Sequence, residues 1–113
     1  MNKVYLNGEF VDASEAKISP MDRGFLFGDG IYEVIPTYVG KPVGLGLHLE
    51  RMKSGLYDVG IDYEINADVW ADIISELISQ HPSESQGVYV HVSRGTDVKR
   101  FHAYPKNVVP TVF

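Results

Sequence analysis

Cysteine is absent from the 113-residue chain, so nothing in it calls for the oxidising compartment in which disulfides persist. Long apolar runs are absent as well, none approaching the roughly 20 residues that cross a bilayer. Met1-Asn2-Lys3 runs straight into Val4-Tyr5-Leu6, without the apolar core and cleavage site of a secretory leader. The expectation is a cytoplasmic protein with no membrane partner. A basic excess is missing too: the formal net charge is −5, and nucleic-acid binding, which needs Lys and Arg gathered on one face, is disfavoured. The four histidines, His48, His81, His91 and His102, are dispersed, and without cysteine they form no zinc-ligand spacing. Internal repeats, low-complexity tracts and linkers are also lacking.

What remains is a chain of 44% hydrophobic and 22% charged residues, the composition of a globular protein and the length of one domain with a single modest core. Asn7-Gly8, between Val4-Tyr5-Leu6 and Glu9-Phe10-Val11, predicts a β-hairpin. A polar connection from Asp12 to Lys17 leads to a Gly-punctuated run, then to a strand over Ile31 to Tyr38, a Gly40-Lys41-Pro42 turn and a short strand around Val43. Leu49, Met52, Leu56 and Val59 then recur at three- and four-residue intervals, the face of a helix over His48 to Val59. Gly55 costs that helix about 1 kcal/mol against Ala. Asn66 can cap a second helix, in which Trp70, Ile73, Ile74, Leu77 and Ile78 share a face and which His81-Pro82 ends. Gly87 opens an alternating strand, Val88 to Val92, and Val108 to Phe113 reads as another, interrupted by Pro110. Strands, two helices and strands in that order predict an α+β layer, a mostly antiparallel sheet with two helices packed on it.

The run Asp22-Arg23-Gly24-Phe25-Leu26-Phe27-Gly28-Asp29-Gly30-Ile31-Tyr32-Glu33 delivers one Tyr onto the start of a strand. Gly28 and Gly30 can take positive φ and admit close approach, and Asp29-Gly30 is a tight-turn dipeptide. Asp22, Arg23 and Asp29 are expected to hold the shape of the run, because Asp side chains readily bond turn amides.

That run resembles the opening signature of the class IV, fold type IV aminotransferases, which use pyridoxal phosphate (PLP). Further stretches follow in the same order: Tyr38-Val39-Gly40, His48-Leu49-Glu50-Arg51-Met52, Val92-Ser93-Arg94-Gly95 and Arg100-Phe101-His102-Ala103-Tyr104-Pro105. The resemblance covers nearly the whole chain. Its last stretch looks more like the D-amino-acid aminotransferase branch than like branched-chain aminotransferases or aminodeoxychorismate lyase. Three residues, Asp97-Val98-Lys99, separate Thr96 from Arg100 where the pattern has about two, so the backbone position that presents Arg100 is open to a shift.

Residue types and resemblance together define the expected site. A carboxylate is planar with two acceptor oxygens, and a guanidinium fork matches it. In an extended segment Arg100 and His102 project the same way while Phe101 faces elsewhere; alone, such loop residues are normally solvated. The resemblance implies that Arg100 and His102, with Tyr32, trap the substrate's α-carboxylate, and it assigns Arg51 to the PLP phosphate. Without it, Arg51 would be a helix-surface residue paired with Glu50 or Asp58. A Schiff-base lysine must be able to lose its proton, which burial or a neighbouring cation promotes. Lys3, Lys17, Lys41, Lys53, Lys99 and Lys106 all lie in polar or terminal contexts, and the resemblance implies that the lysine belongs to a second, larger domain.

The expectation is therefore that residues 1–113 are the N-terminal small domain of a PLP-dependent D-amino-acid aminotransferase. The parent would be a homodimer passing the amino group of a D-amino acid to a 2-oxo acid, and this chain alone would be inactive. The apolar ending Val108 to Phe113, where polar, frayed residues are usual, supports continuation of a parent chain. Aminodeoxychorismate lyase and branched-chain aminotransferase are the alternatives on the same scaffold; a stand-alone binding or dimerisation domain is the alternative outside catalysis.

Overall fold

A computed structural model describes residues 2–81, 83 and 85–113. The chain enters as Asn7-Gly8 dictates: β1 (Lys3–Leu6) returns as β2 (Glu9–Asp12) in an antiparallel hairpin. Both turn residues have positive φ, 49° and 95°, the geometry that matches the twist of the flanking strands. The paired Tyr5 and Phe10 rings meet edge-on at 5.3 Å. A single 3-10 turn over Ala13–Glu15 follows.

The Gly-punctuated run is more ordered than a bare loop. The Asp22 carboxylate accepts the Gly24 N–H at 2.8 Å and caps a short helix, α1 (Arg23–Phe27). Gly28 closes that helix in the left-handed conformation, φ 64°, the usual solution for its orphan carbonyls. The turn expected at Asp29-Gly30 therefore falls at Gly28. Gly30 instead opens β3 (Gly30–Tyr38), where a Cβ would lie 2.6 Å from His91 Nε2 and 2.9 Å from the Val92 carbonyl.

Along its whole length β3 pairs with β5 (Ser85–Ser93), from Gly30 opposite Ser93 to Tyr38 opposite Ser85. With β4 (Lys41–Pro42) and β6 (Thr111–Val112) they make an antiparallel sheet in the order β4-β3-β5-β6. The reversal between β3 and β4 uses Val39 and Gly40 at positive φ, so Lys41 and Pro42 form the short strand expected nearer Val43. A β-branched residue in that region is uncommon, which is why the turn reads one position late from sequence. Only Thr111 and Val112 form the last strand, because Pro110 has no N–H for a ladder; Phe113 still exchanges two backbone hydrogen bonds with His91.

Two long helices cover one face of this sheet. The first, α2 (Leu45–Val59), begins three residues before the sequence pattern does and buries Leu49, Met52 and Leu56. Gly55 lets it approach β3, since a Cβ there would press to 3.1 Å on Ile31. Asn66 caps α3 (Ala67–Gln80) by accepting the Asp68 and Val69 N–H groups, each at 3.1 Å. Trp70, Ile74 and Ile78 are buried from α3, and Trp70 Nε1 donates to the Tyr63 hydroxyl at 3.1 Å. The helix ends before His81; Pro82, its expected terminator, lies outside the described residues.

The helical residues meet Ile35, Val90, Val92 and Val112 in one core. Along β3, Glu33, Ile35 and Thr37 face this core while Tyr32, Val34 and Tyr38 are exposed on the other side, the two-residue alternation of a half-covered strand. The architecture is the expected α+β layer. No helix among the described residues is long and apolar enough to cross a membrane. Met52, fully buried at the α2–sheet contact, gives a direct test: Met52→Ala should lower the urea-unfolding free energy by about 2–5 kcal/mol, the usual cost of such a cavity, and a loss below ~1 kcal/mol would contradict this core.

Candidate cofactor and anion site

Three clusters of charged and aromatic side chains grow from the elements around β3. The first is built on Glu33, a carboxylate on the core face of the strand. Arg51 on α2 donates Nε to Glu33 Oε2 at 2.7 Å and Nη2 to Oε1 at 2.8 Å, and His48 Nδ1, one helical turn earlier, lies 2.6 Å from the same Oε1. With the carboxylate ionised, Nδ1–H is the donor in that bond. The Arg51 hydrogen bonds, joined by the His48 bond and outweighing burial, hold Glu33 down at about 2. The same bonds raise Arg51 further above its ordinary value. The Arg51 side chain is nevertheless 72% exposed, and Nη1 takes no part in the Glu33 pair. The partners considered from sequence, Glu50 and Asp58, are replaced by Glu33 from the strand; Glu50 lies instead 3.8 Å from Lys53.

The second cluster is buried and centres on Asp29. Its Oδ2 accepts Arg23 Nε at 2.8 Å and Arg94 Nε at 2.7 Å, and its Oδ1 accepts Arg94 Nη2 at 3.2 Å. Burial pushes against ionisation, but the hydrogen bonds from Arg94 and Arg23 prevail and hold Asp29 below the usual carboxylate range. Arg94 also donates to the carbonyls of Val59 and Gly60 at the end of α2. Arg23 donates to the carbonyls of Phe101 and His102. Asp22, also buried, accepts from Ser93 Oγ at 2.7 Å and Thr111 Oγ1 at 2.6 Å as well as from Gly24. Asp22 thus shapes the run by bonding a turn amide, as expected, whereas Asp29 works through the guanidiniums of Arg23 and Arg94 instead.

The third group contains the residues expected to bind a carboxylate. Arg100 and His102 come together on one ring: the Arg100 guanidinium carbon is 4.8 Å from the Phe27 centroid, and the His102 ring is 5.1 Å from it at 46°. Both side chains are exposed. Tyr32 is elsewhere, 60% exposed on the uncovered sheet face, with its ring 5.7 Å from Tyr89 and 6.3 Å from His91. The Tyr89 hydroxyl is 2.7 Å from His91 Nδ1, and burial pushes the His91 imidazole below its ordinary value. Within one chain, Arg100 pairs with His102 and Tyr32 joins a separate aromatic group. Lys99, next to Arg100, lies over Phe101 at 5.2 Å.

The sequence reading missed Glu33, the Arg23–Asp29–Arg94 bridge and the role of Phe27. Glu33 carried a usable signal: alternation puts it in phase with Ile31 and Ile35, and a carboxylate on an apolar face demands a cation. The Arg94 half of the bridge and the role of Phe27 had none, since those partners lie at least 65 residues away. All six lysines are exposed or half-buried, and Lys3 pairs with Asp12 at 2.9 Å.

Comparison with known proteins gives the chain a family. A family model described as amino-transferase class IV matches residues 30–113. The D-alanine aminotransferase of Staphylococcus haemolyticus is 38% identical over 112 residues, which is 99% of this chain and 39% of that protein. The branched-chain amino acid aminotransferase of Escherichia coli superposes with a TM-score of 0.87 at 19% identity, over 98% of this chain and 39% of that one. The 4-amino-4-deoxychorismate lyase of Pseudomonas aeruginosa gives 0.74 at 23% identity, over 96% and 37%. The structural likenesses establish the fold. The chain spans about two fifths of the length of the relatives it matches.

The Glu33 cluster sets a pH signature. A carboxylate whose pKa is near 2 in the folded chain and about 4.3 when unfolded stabilises fully above pH 5. That stability declines from there and is gone below about pH 2. Glu33→Gln should therefore destabilise the chain at pH 7 and flatten the fall in melting temperature between pH 5 and 2. An unchanged acid limb in calorimetry would remove Glu33 from the pairing.

Proposed function

This chain belongs to the class IV amino-transferases, and from that membership we propose that residues 1–113 form the small N-terminal domain of a PLP-dependent D-amino-acid aminotransferase. The proposed reaction moves the amino group of a D-amino acid such as D-alanine to a 2-oxo acid. The observation that carries the reading is the likeness to a D-alanine aminotransferase along essentially the entire chain.

The residues present fit one part of the cofactor. Arg51 is exposed but fixed by a buried carboxylate, so its guanidinium is preorganised and its Nη1 is left for an anion; a phosphate suits such a donor. Arg51 is accordingly assigned to the PLP phosphate. When bound, the cofactor supplies an electron sink; the protein supplies binding and orientation. Arg100 and His102 supply a charged fork and an imidazole on one ring, and Tyr32 a hydroxyl on the open sheet face. These three are assigned to the substrate carboxylate, where they would decide which face of the substrate's Cα meets the reacting base. Their separation within one chain accords with a homodimer in which Arg100 and His102 of one subunit serve the cofactor of the other. The exposed, ion-paired or polar settings of the lysines accord with a reacting lysine in a larger second domain. The parent enzyme is taken to be cytoplasmic, consistent with the lack of cysteine.

Two experiments test this. Residues 1–113 joined to the remaining length of the Staphylococcus haemolyticus D-alanine aminotransferase should transaminate D-alanine with 2-oxoglutarate. Arg100→Ala in that fusion should raise KM for D-alanine about tenfold to a hundredfold, the worth of a charge-assisted hydrogen bond of about 1.5–3 kcal/mol; unchanged kinetics would remove Arg100 from the clamp. The chain by itself, incubated with PLP and reduced with borohydride, should acquire no stoichiometric pyridoxyl-lysine, and an adduct concentrated at one lysine would contradict the two-domain reading.

A further inference from the structure

We propose that Arg23 is a positioning residue for the substrate clamp: it fixes the backbone of the loop that carries Arg100 and His102, and Phe27 is the plate on which both side chains rest. The geometry stands independently; its consequence for substrate rests on the clamp reading above.

Residues 94–110, between β5 and β6, contain no helix or strand, and their one ladder contact is an isolated bridge of Thr96 to Asp22. A clamp in such a segment needs another source of order, because misplacement by about 1 Å can cost on the order of a hundredfold in rate. Arg23 provides it. The residue is 2% exposed, and its planar fork serves three acceptors at once: Nε gives to Asp29 Oδ2 at 2.8 Å, Nη1 to the Phe101 carbonyl at 2.6 Å and Nη2 to the His102 carbonyl at 3.3 Å. Those carbonyls lie on either side of the His102 Cα, so the backbone that aims the imidazole is held from both ends.

Phe27, one turn along the same short helix, completes the arrangement. The guanidinium carbons of Arg23 and Arg100 each lie 4.8 Å from its centroid, and the His102 ring packs against it at 5.1 Å. Cations are attracted to an aromatic face at such distances, so Phe27 orients Arg100 without consuming the hydrogen-bond donors that an anion needs. A second tether lies further along the loop, where the Arg94 guanidinium stands 3.9 Å from the Tyr104 ring and shares Asp29 with Arg23. Lysine at position 23 could keep the charge near Asp29 but could not offer the same planar set of bonds.

The test separates anchoring from substrate binding. In the 113-residue chain, Arg23→Lys should drop the backbone amide order parameters of residues 101–103 into the flexible range, below about 0.6, and move the His102 ring signals toward random-coil values, with the Trp70 and α3 signals unchanged. Phe27→Leu should abolish the ring-current displacement of the His102 signals while the Phe101 and His102 carbonyl contacts persist. In the unaltered chain the Arg23 Nη protons should be exchange-protected, a reading available even if Arg23→Lys does not fold. Rapidly averaging Arg23 Nη signals, or a folded Arg23→Lys chain with unmoved His102 and loop signals, would overturn the proposal. In the fused enzyme, Arg23→Lys should raise KM for D-alanine about tenfold with PLP affinity unchanged. Loop signals that move while KM stays constant would uphold the anchoring and sink the clamp reading instead.

Discussion

The Asp29 carboxylate bridges the two arginines buried among the described residues, Arg23 and Arg94. An ion pair withdrawn from water is a weak source of net stability but an exacting one, because losing either sign strands the other in a poor solvent. Here the carboxylate sits between α1 and β3, and the two guanidiniums reach from it to the end of α2 and to the loop before β6. Segments with little regular structure are thereby fastened to the layered core by hydrogen bonds to backbone carbonyls. The bridge fixes relative position where neither a ladder nor a helix does.

Much of the layered core is legible in the sequence, because it rests on local signals. Asn7-Gly8 permits little but a hairpin, Asn66 is a cap followed by a helical stripe, and Leu49, Met52 and Leu56 mark a buried face without ambiguity. What the sequence conceals has non-local causes. Gly30 looks like half of a turn, yet it is small because His91 crowds it from the neighbouring strand. Val39 takes a conformation its side chain disfavours, which the closure of β3 onto β4 imposes. Among the site residues, Arg51 is visible by type and position, but its partner Glu33 is visible only once the strand's phase is known. That Arg100 and His102 would meet on Phe27 has no local signal at all.

Membership in the class IV amino-transferases gives the geometry a context without doing its work. The sheet is covered on one side and open on the other, and the charged groups divide accordingly. Glu33, His48 and Arg51 form a neutralised, preorganised set on the helical side; Tyr32, Tyr89 and His91 form an aromatic set on the open side. Arg100 and His102 belong to neither, standing on a platform contributed by α1. One short domain therefore presents exposed cationic donors at more than one place.

The alternation of β3 also bears on how this chain can change its length. Tyr32 and Glu33 are adjacent in sequence and serve opposite sides of the sheet, so a one-residue slip in the register of this strand would send the carboxylate outward and the phenol inward. The loop after Arg94 is under no such parity rule, since Arg23 grips main-chain oxygens, which every residue type possesses. A change of length around Asp97 to Lys99 is thus tolerable on physical grounds where one within the strand is not.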